Sequence, residues 1–161
     1  MTTAFVGIGS NVGDRADFCR RAVQAVEAAS GITLVRSSSL YETSPVGGPP
    51  QRSYVNLVVK VETDLAPSEL LGACQEIERK IGREPSDIRW GPRVVDLDIL
   101  IFGDEKIVEP HLEIPHPHIR QRRFVLVPLL EIDPGVQDPW GDDYASSLDE
   151  AEGDVELLEA Y

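Results

Sequence analysis

An α+β fold, a two-layer sandwich of the ferredoxin-like type, is the architecture this 161-residue sequence predicts. Its segments follow one another in the order strand, helix, strand, strand, helix, strand. Each helical segment carries one apolar stripe at 3.6-residue spacing, and the clearest strands are apolar on one face. Both helices are therefore expected on one side of a mainly antiparallel sheet, with the other side covered by loops or used for binding.

Thr3 to Ile8 reads as the first strand, closed by Gly7, Gly9 and Gly13. Asp14 is a good N-cap, and Cys19, Ala22, Val23 and Val26 recur at helical spacing until Gly31 stops the helix. Ile32 to Tyr41 is strand-like, and residues 44–53 (SPVGGPPQRS) form a Gly/Pro loop too long for a tight turn. Tyr54 to Glu62 alternates: Val55, Leu57, Val59 and Val61 on one face, Tyr54, Asn56, Val58 and Lys60 on the other. Pro67 suits the first turn of a second helix with the stripe Leu70, Cys74, Ile77, Ile81, ended by Gly82. A second loop, 83–93, leads to the strongest strand signal, Val94 to Phe102. After Gly103 a Pro/His-rich run, IPHPHIRQRR, enters a short apolar stretch, FVLVPLLEI.

The totals exclude several classes. No apolar run approaches the roughly 18 residues of a membrane helix, and the N-terminus has no basic region of a signal peptide. Cys19 and Cys74 read as small buried apolar residues, which fits a reducing cytoplasm. The net charge of −13 is concentrated at one end: residues 131–161 hold 11 acidic side chains and no Lys or Arg, whereas residues 1–130 hold 17 acidic and 15 basic ones. A nearly neutral body with an acidic end is a poor partner for nucleic acid. The end itself is expected to be solvated and partly disordered.

Asp96-Leu97-Asp98 is the centre of the chemical case. Residues i and i+2 of a strand share a face, so both carboxylates point the same way, roughly 7 Å apart at their Cα atoms. Val95, Leu97, Ile99 and Ile101 would face the helices, with Val94, Leu100 and Phe102 beside the aspartates. Two like charges on an apolar face call for a cation, and carboxylates without Cys or His neighbours suit Mg²⁺ together with substrate phosphates. A solvated edge strand with two surface aspartates is the plainer alternative. Arg83, Arg89 and Arg93 precede this strand and Arg120, Arg122 and Arg123 follow it, cations of the kind that clamp a moving phosphoryl group. Tyr54 and Asn56 share the aspartates' open face and suit a flat heterocycle, with Trp90 and Phe124 able to close over it from mobile segments. Gly7-Ile8-Gly9-Ser10-Asn11-Val12-Gly13 is one residue too long for the dinucleotide fingerprint and is not a P-loop, so it reads as a strand-to-helix turn. His116-Pro117-His118 lacks a third zinc ligand.

SSSLYETSPVGGPPQRSYVNLVV, IERKIGR, RWGPRVVDLDILIFGD and IPHPHIRQRRFVLVPL together resemble the 6-hydroxymethyl-7,8-dihydropterin pyrophosphokinase family, over Thr2 to about Pro134. The resemblance implies a pyrophosphokinase domain at 1–134 and an acidic C-terminal tail at 135–161, packed or partly disordered. It implies transfer of diphosphate from ATP to the pterin hydroxymethyl group with release of AMP, in folate synthesis. Carried over by motif, Asp96 and Asp98 would hold two Mg²⁺ ions, and Arg83 and Arg93 would position the diphosphate. Thr43, Ser44, Val46, Tyr54, Asn56 and Phe124 would form the pterin pocket. Gln75, Glu78, Trp90, Arg93, Ile99, His116 and Arg122 would contact the nucleotide, and the two Gly/Pro loops would be the family's catalytic loops. Departures are Glu84-Pro85-Ser86 and His111, where basic residues are expected, and Pro117, where an aromatic can stand. No side chain is assigned as general base. A cytoplasmic monomer acting on small molecules, with no nucleic-acid or membrane partner, is expected. The rivals are a noncatalytic ferredoxin-like module for RNA or a small molecule, and a kinase moving only the γ-phosphoryl group. The first would show aromatic RNP motifs on a basic sheet face, which two aspartates contradict.

Overall fold

A computed structural model describes residues 1–43, 53–82 and 94–159. Ser44, Val46, Arg83, Arg89, Trp90 and Arg93, and with them both Gly/Pro loops, lie outside the described residues. The frame is the expected one: β1 (Thr2–Ser10), α1 (Arg15–Ala28), β2 (Ile32–Ser37), β3 (Leu40–Thr43), β4 (Tyr54–Thr63), α2 (Pro67–Gly82) and β5 (Asp96–Phe102). Every strand pairing is antiparallel, in the order β5-β1-β4-β3, with β2 also on β4. The Asp14 side chain caps α1 by accepting from the Asp17 N–H at 3.2 Å. The stripes of α1 and α2, including Cys19 and Cys74, bury against Val6, Ile8, Leu57, Val59, Leu97 and Ile99. Burial pushes both thiols up to about 12. Neither cysteine is therefore expected to react with a thiol-specific reagent at pH 8 until the protein is unfolded in urea. Fast labelling of the native chain would contradict that packing.

Three local differences from the sequence expectation have physical causes. The single strand at 32–41 is two, because buried Ser38 turns inward: its N–H donates to the Val58 carbonyl and its Oγ accepts the Val58 N–H, both at 2.9 Å. A bulge in the β1–β5 pairing between Phe5 and Val6 slips the register, so Ile101 leaves the α1/α2 side and Phe102 joins it, the reverse of strict alternation. Val94 also packs on the α1/α2 side instead of beside the aspartates. The apolar stretch FVLVPLLEI is helix α3 (Arg123–Ile132), and it lies on the opposite sheet face with Phe5, Val58, Leu100 and Ile101. Among the described residues that face is thus divided, one part covered by α3 and the rest left uncovered.

The acidic end is folded onto this frame. Tyr144 and Ala151 are buried in the α3 cluster, and β8 (Val155–Glu159) pairs antiparallel with β3. A small hairpin, β6 (Ile107–Glu109) with β7 (Leu112–Ile114), follows β5.

Helix α3 is tied to β3 through Glu131, which accepts from Ser39 N–H at 3.0 Å, Ser39 Oγ–H at 2.9 Å and Tyr41 Oη–H at 2.5 Å. Burial pushes this carboxyl's pKa upward, but the bonds from Tyr41 and Ser39 outweigh it and hold it below the ordinary 4.5. A folded-state pKa below the unfolded one gives stability that is present above pH 4.5 and lost as pH falls through the folded value. Glu131→Gln is expected to cost about 1–3 kcal/mol at pH 7, the size of a few charge-assisted bonds. Urea titrations of the two proteins should draw together as pH falls below 4.5; a gap that stays constant with pH would place the effect elsewhere.

Candidate active site

The open part of the second face is floored by two glycines. β1 runs between β4 and β5, with Gly9 opposite Asn56 on one side and Asp96 on the other, and Gly7 opposite Val58 and Asp98. Gly7 and Gly9 are thus strand residues, not the strand-to-helix turn their spacing suggests. Period-two glycines in a central strand leave the floor without side chains. A Cβ on Gly9 would lie 2.6 Å from Asn56 Nδ2. The cavity above them has a volume of about 480 Å³.

Among the described residues, β3, β4, β5 and the start of α3 supply most of its walls. Asp96, half-buried, and Asp98, exposed, rise from β5 into the cavity. Tyr54 and Asn56 come from β4 and Thr43 from the end of β3, where Thr43 Oγ–H donates to Asn56 Oδ1 at 2.7 Å. That bond fixes which end of the amide is oxygen and leaves its NH2 on the Gly9 side. Phe124 and Arg122 close the far side, with the guanidinium 5.6 Å from the ring centroid. Phe124 stands in the first turn of α3, so it belongs to a helix and not to the mobile segment expected from sequence.

A second cavity, of about 290 Å³, lies beyond the edge of β5, lined by Leu71, Ile99, His111 and Leu112 among others. Asp98 and His116 line both cavities. His116 is anchored by its N–H, which donates to the Leu100 carbonyl at 2.8 Å, and its Nδ1 accepts the His118 N–H at 3.2 Å. Neutral imidazole then carries its proton on Nε2. Burial lowers its pKa against the opposing pull of Asp98.

Sequence reasoning and structure part at several side chains. Gln75 and Glu78 of α2 line neither cavity. Gln75 is exposed, and a Glu78 oxygen accepts the Leu97 N–H at 2.8 Å, holding the edge of β5 to α2. Arg122 lines the larger cavity, not the smaller one where the expected nucleotide contacts would include it. Arg120 is committed to the Asp138 carboxylate and to the Asp143 carbonyl, both at 2.8 Å, and stacks on Tyr144. Arg123 donates to the Leu148 carbonyl at 2.9 Å. Of the three arginines after β5, only Arg122 reaches the aspartates' cavity. Gly7, Gly9 and Glu152, which sequence reasoning left out, line it too. The glycines carry a legible signal, since residues 7 and 9 share a face as Asp96 and Asp98 do.

A cation fits the paired carboxylates. Their donors are all oxygen, and among the described residues no group of three or more His, Cys, Asp and Glu is placed to hold a metal by itself. Two carboxylates completed by water and phosphate oxygens are the magnesium pattern, not that of zinc.

Residues 5–134 match the family model for 7,8-dihydro-6-hydroxymethylpterin-pyrophosphokinase. The chain is 45% identical over 129 residues to a 2-amino-4-hydroxy-6-hydroxymethyldihydropteridine pyrophosphokinase of Bacillus subtilis, covering 80% of this chain and 77% of that one. It is 42% identical over 134 residues to a protein of the same description from Methylorubrum extorquens, covering 83% and 84%. Among solved structures it is similar to the Plasmodium falciparum HPPK-DHPS wild type with SDX-DHP, at a TM-score of 0.71 and 16% identity. That match spans 93% of this chain but 43% of the other, and at such identity it shows the fold alone.

Proposed function

Because this chain belongs to the 7,8-dihydro-6-hydroxymethylpterin-pyrophosphokinase family, we propose that its two adjoining cavities are the pterin and nucleotide sites of that reaction. The protein transfers diphosphate from ATP to the hydroxymethyl group of 6-hydroxymethyl-7,8-dihydropterin, a step of folate biosynthesis. ATP is the co-substrate, and atom balance makes AMP the other product.

The observation that carries the proposal is the meeting of the two cavities at Asp98 and His116. Diphosphate transfer needs an acceptor alcohol and a donor nucleotide whose β-phosphorus lies at their boundary. The larger cavity takes the pterin, with Tyr54 and Phe124 against its faces and the Asn56 amide and Thr43 along its edge. The smaller one takes the nucleoside between Leu71, Ile99 and Leu112, with His111 at its border. The hydroxymethyl oxygen attacks the β-phosphorus, the bond to the α-phosphate oxygen breaks, and AMP leaves. Asp96 and Asp98 would hold two magnesium ions, which would supply positive charge for phosphoryl transfer. His116 presents its Nε2–H where the cavities join, and Arg122 offers a guanidinium to phosphate. Ser44, Val46, Arg83, Trp90 and Arg93 complete the pterin, nucleotide and diphosphate contacts on this reading.

The enzyme acts as a cytoplasmic monomer. Among the described residues no helix is long and apolar enough to cross a membrane. Incubation with ATP, Mg²⁺ and the pterin alcohol is expected to yield AMP and pterin diphosphate in equal amounts. ADP as the nucleotide product would instead indicate γ-phosphoryl transfer and overturn the assignment.

A further inference from the structure

The residues that match the family model end at 134, yet the chain beyond them lines the larger cavity at Glu152 and pairs with β3, the strand that carries Thr43. At Glu152 it runs parallel to Arg122: the Glu152 N–H donates to the Gln121 carbonyl and the Arg123 N–H donates to the Glu152 carbonyl, both at 3.0 Å. Arg123 also donates from its guanidinium to the Leu148 carbonyl at 2.9 Å. The chain then turns at Gly153, whose φ of 114° favours glycine, and enters β8. There Val155 pairs with Thr43, which lines the same cavity.

Each attachment supplies something its wall lacks. The opening N–H groups of a helix have no partner within it, and Arg122, the N-cap of α3, makes no side-chain capping bond. The Glu152 carbonyl fills that role for Arg123, the residue before Phe124. On the other wall β3 has four residues, and without β8 it would be an open edge directly before residues 44–52. A short edge strand frays, and fraying would blur the Thr43–Asn56 bond that orients the amide.

We propose that residues 148–159 form a strap that positions the two walls of the pterin cavity, with the Glu152 main chain as the positioning group on the Phe124 side. This rests on the larger cavity being the pterin site. The strap acts on pterin and not on nucleotide, because among the described residues none beyond 117 lines the smaller cavity.

The test is steady-state kinetics of Glu152→Pro, which deletes the N–H given to Gln121, beside Glu152→Ala, which keeps it. Glu152→Pro is expected to raise KM for the pterin alcohol about 3- to 10-fold, the size of one hydrogen bond, with KM for ATP within about twofold of wild type. Glu152→Ala should move it clearly less. An unchanged pterin KM in Glu152→Pro, equal shifts in the two variants, or a matching rise in KM for ATP would each overturn the strap. Asn56→Ala separates the two levels. If it leaves pterin KM unchanged, the cavity assignment fails and the strap with it; if it raises KM while Glu152→Pro does not, the strap alone fails. Should Glu152→Pro not fold, hydrogen exchange of wild type decides. Peptides covering 148–159 are expected to exchange several-fold more slowly when the pterin alcohol is added to enzyme holding a nonhydrolysable ATP analogue. Exchange that pterin leaves unaltered would overturn the proposal.

Discussion

Asp98→Ala is expected to lower kcat/KM about 1,000-fold or more, equivalent to roughly 4 kcal/mol of transition-state stabilisation, and Asp96→Ala to do much the same. The reason is electrostatic. A triphosphate entering the boundary between the cavities meets two carboxylates that would repel it. Only compensation by cations would turn the aspartates from an obstacle into a docking point. Asp98 lines both cavities, so its loss should affect binding of ATP as well as the chemical step, whereas Asp96 lines only the larger one. Folding should not suffer. Asp98 is exposed on the last strand of its sheet edge, and removing one of two like charges from one face relieves repulsion. Thermal melts within a few degrees of wild type, together with the kinetic loss, are the expected pair of results. Asp98→Asn, of the same shape, should be nearly as inactive. If either alanine variant kept more than about a tenth of wild-type kcat/KM at saturating Mg²⁺, the aspartates would be surface charges and nothing more.

What could be read from sequence was whatever follows from period. Asp96 with Asp98, and Tyr54 with Asn56, share a face because side chains alternate along a strand, and the structure brings all four to one cavity. The two helices declare themselves by stripes that bury as spaced. Failures occur where a tertiary partner overrides a local pattern. Leu100 sits at a bulge that reverses Ile101 and Phe102, and no alternation rule foresees a bulge set by pairing with β1. Ser38 ends β2 by bonding its own neighbour strand, which is invisible in a run of three serines. Arg120 looks like a phosphate ligand until Asp138, 18 residues on, is seen to hold it. The acidic end shows little periodicity of its own; its order comes from β3 and Arg123, which supply partners from elsewhere in the chain, and from its own Tyr144, which buries in the α3 cluster. Gly7 and Gly9 are the instructive case. Glycine ends a strand in isolation, but here the strand continues through it because β4 and β5 bond it on both sides.

Those glycines lead to the second large effect. Gly9→Ala is expected to raise KM for the pterin alcohol about 10- to 100-fold while leaving the protein as stable as wild type, or more so. Gly9 has an ordinary extended backbone with no positive φ, so alanine meets no conformational strain there, and replacing glycine within a strand stabilises by about 0.5–1 kcal/mol. The new methyl, however, would stand 2.6 Å from Asn56 Nδ2, closer than any carbon and nitrogen can rest. Something must move, and the end of the Asn56 side chain moves most easily. Its Oδ1 is held by Thr43, so a shift either breaks that bond or carries Thr43 with it. Either way the NH2 that would meet the pterin is misaimed, and misplacement of the order of 1 Å costs about 100-fold in a positioned reaction. KM for ATP should stay near wild type, because neither Gly9 nor Asn56 lines the smaller cavity. A melting temperature that falls sharply would mean that the glycine serves folding; an unchanged pterin KM would mean that the floor of the cavity is not where the heterocycle lies. The expected combination, a sturdier protein with a weaker grip on one substrate, is what separates a residue kept small for its ligand from one kept small for its fold.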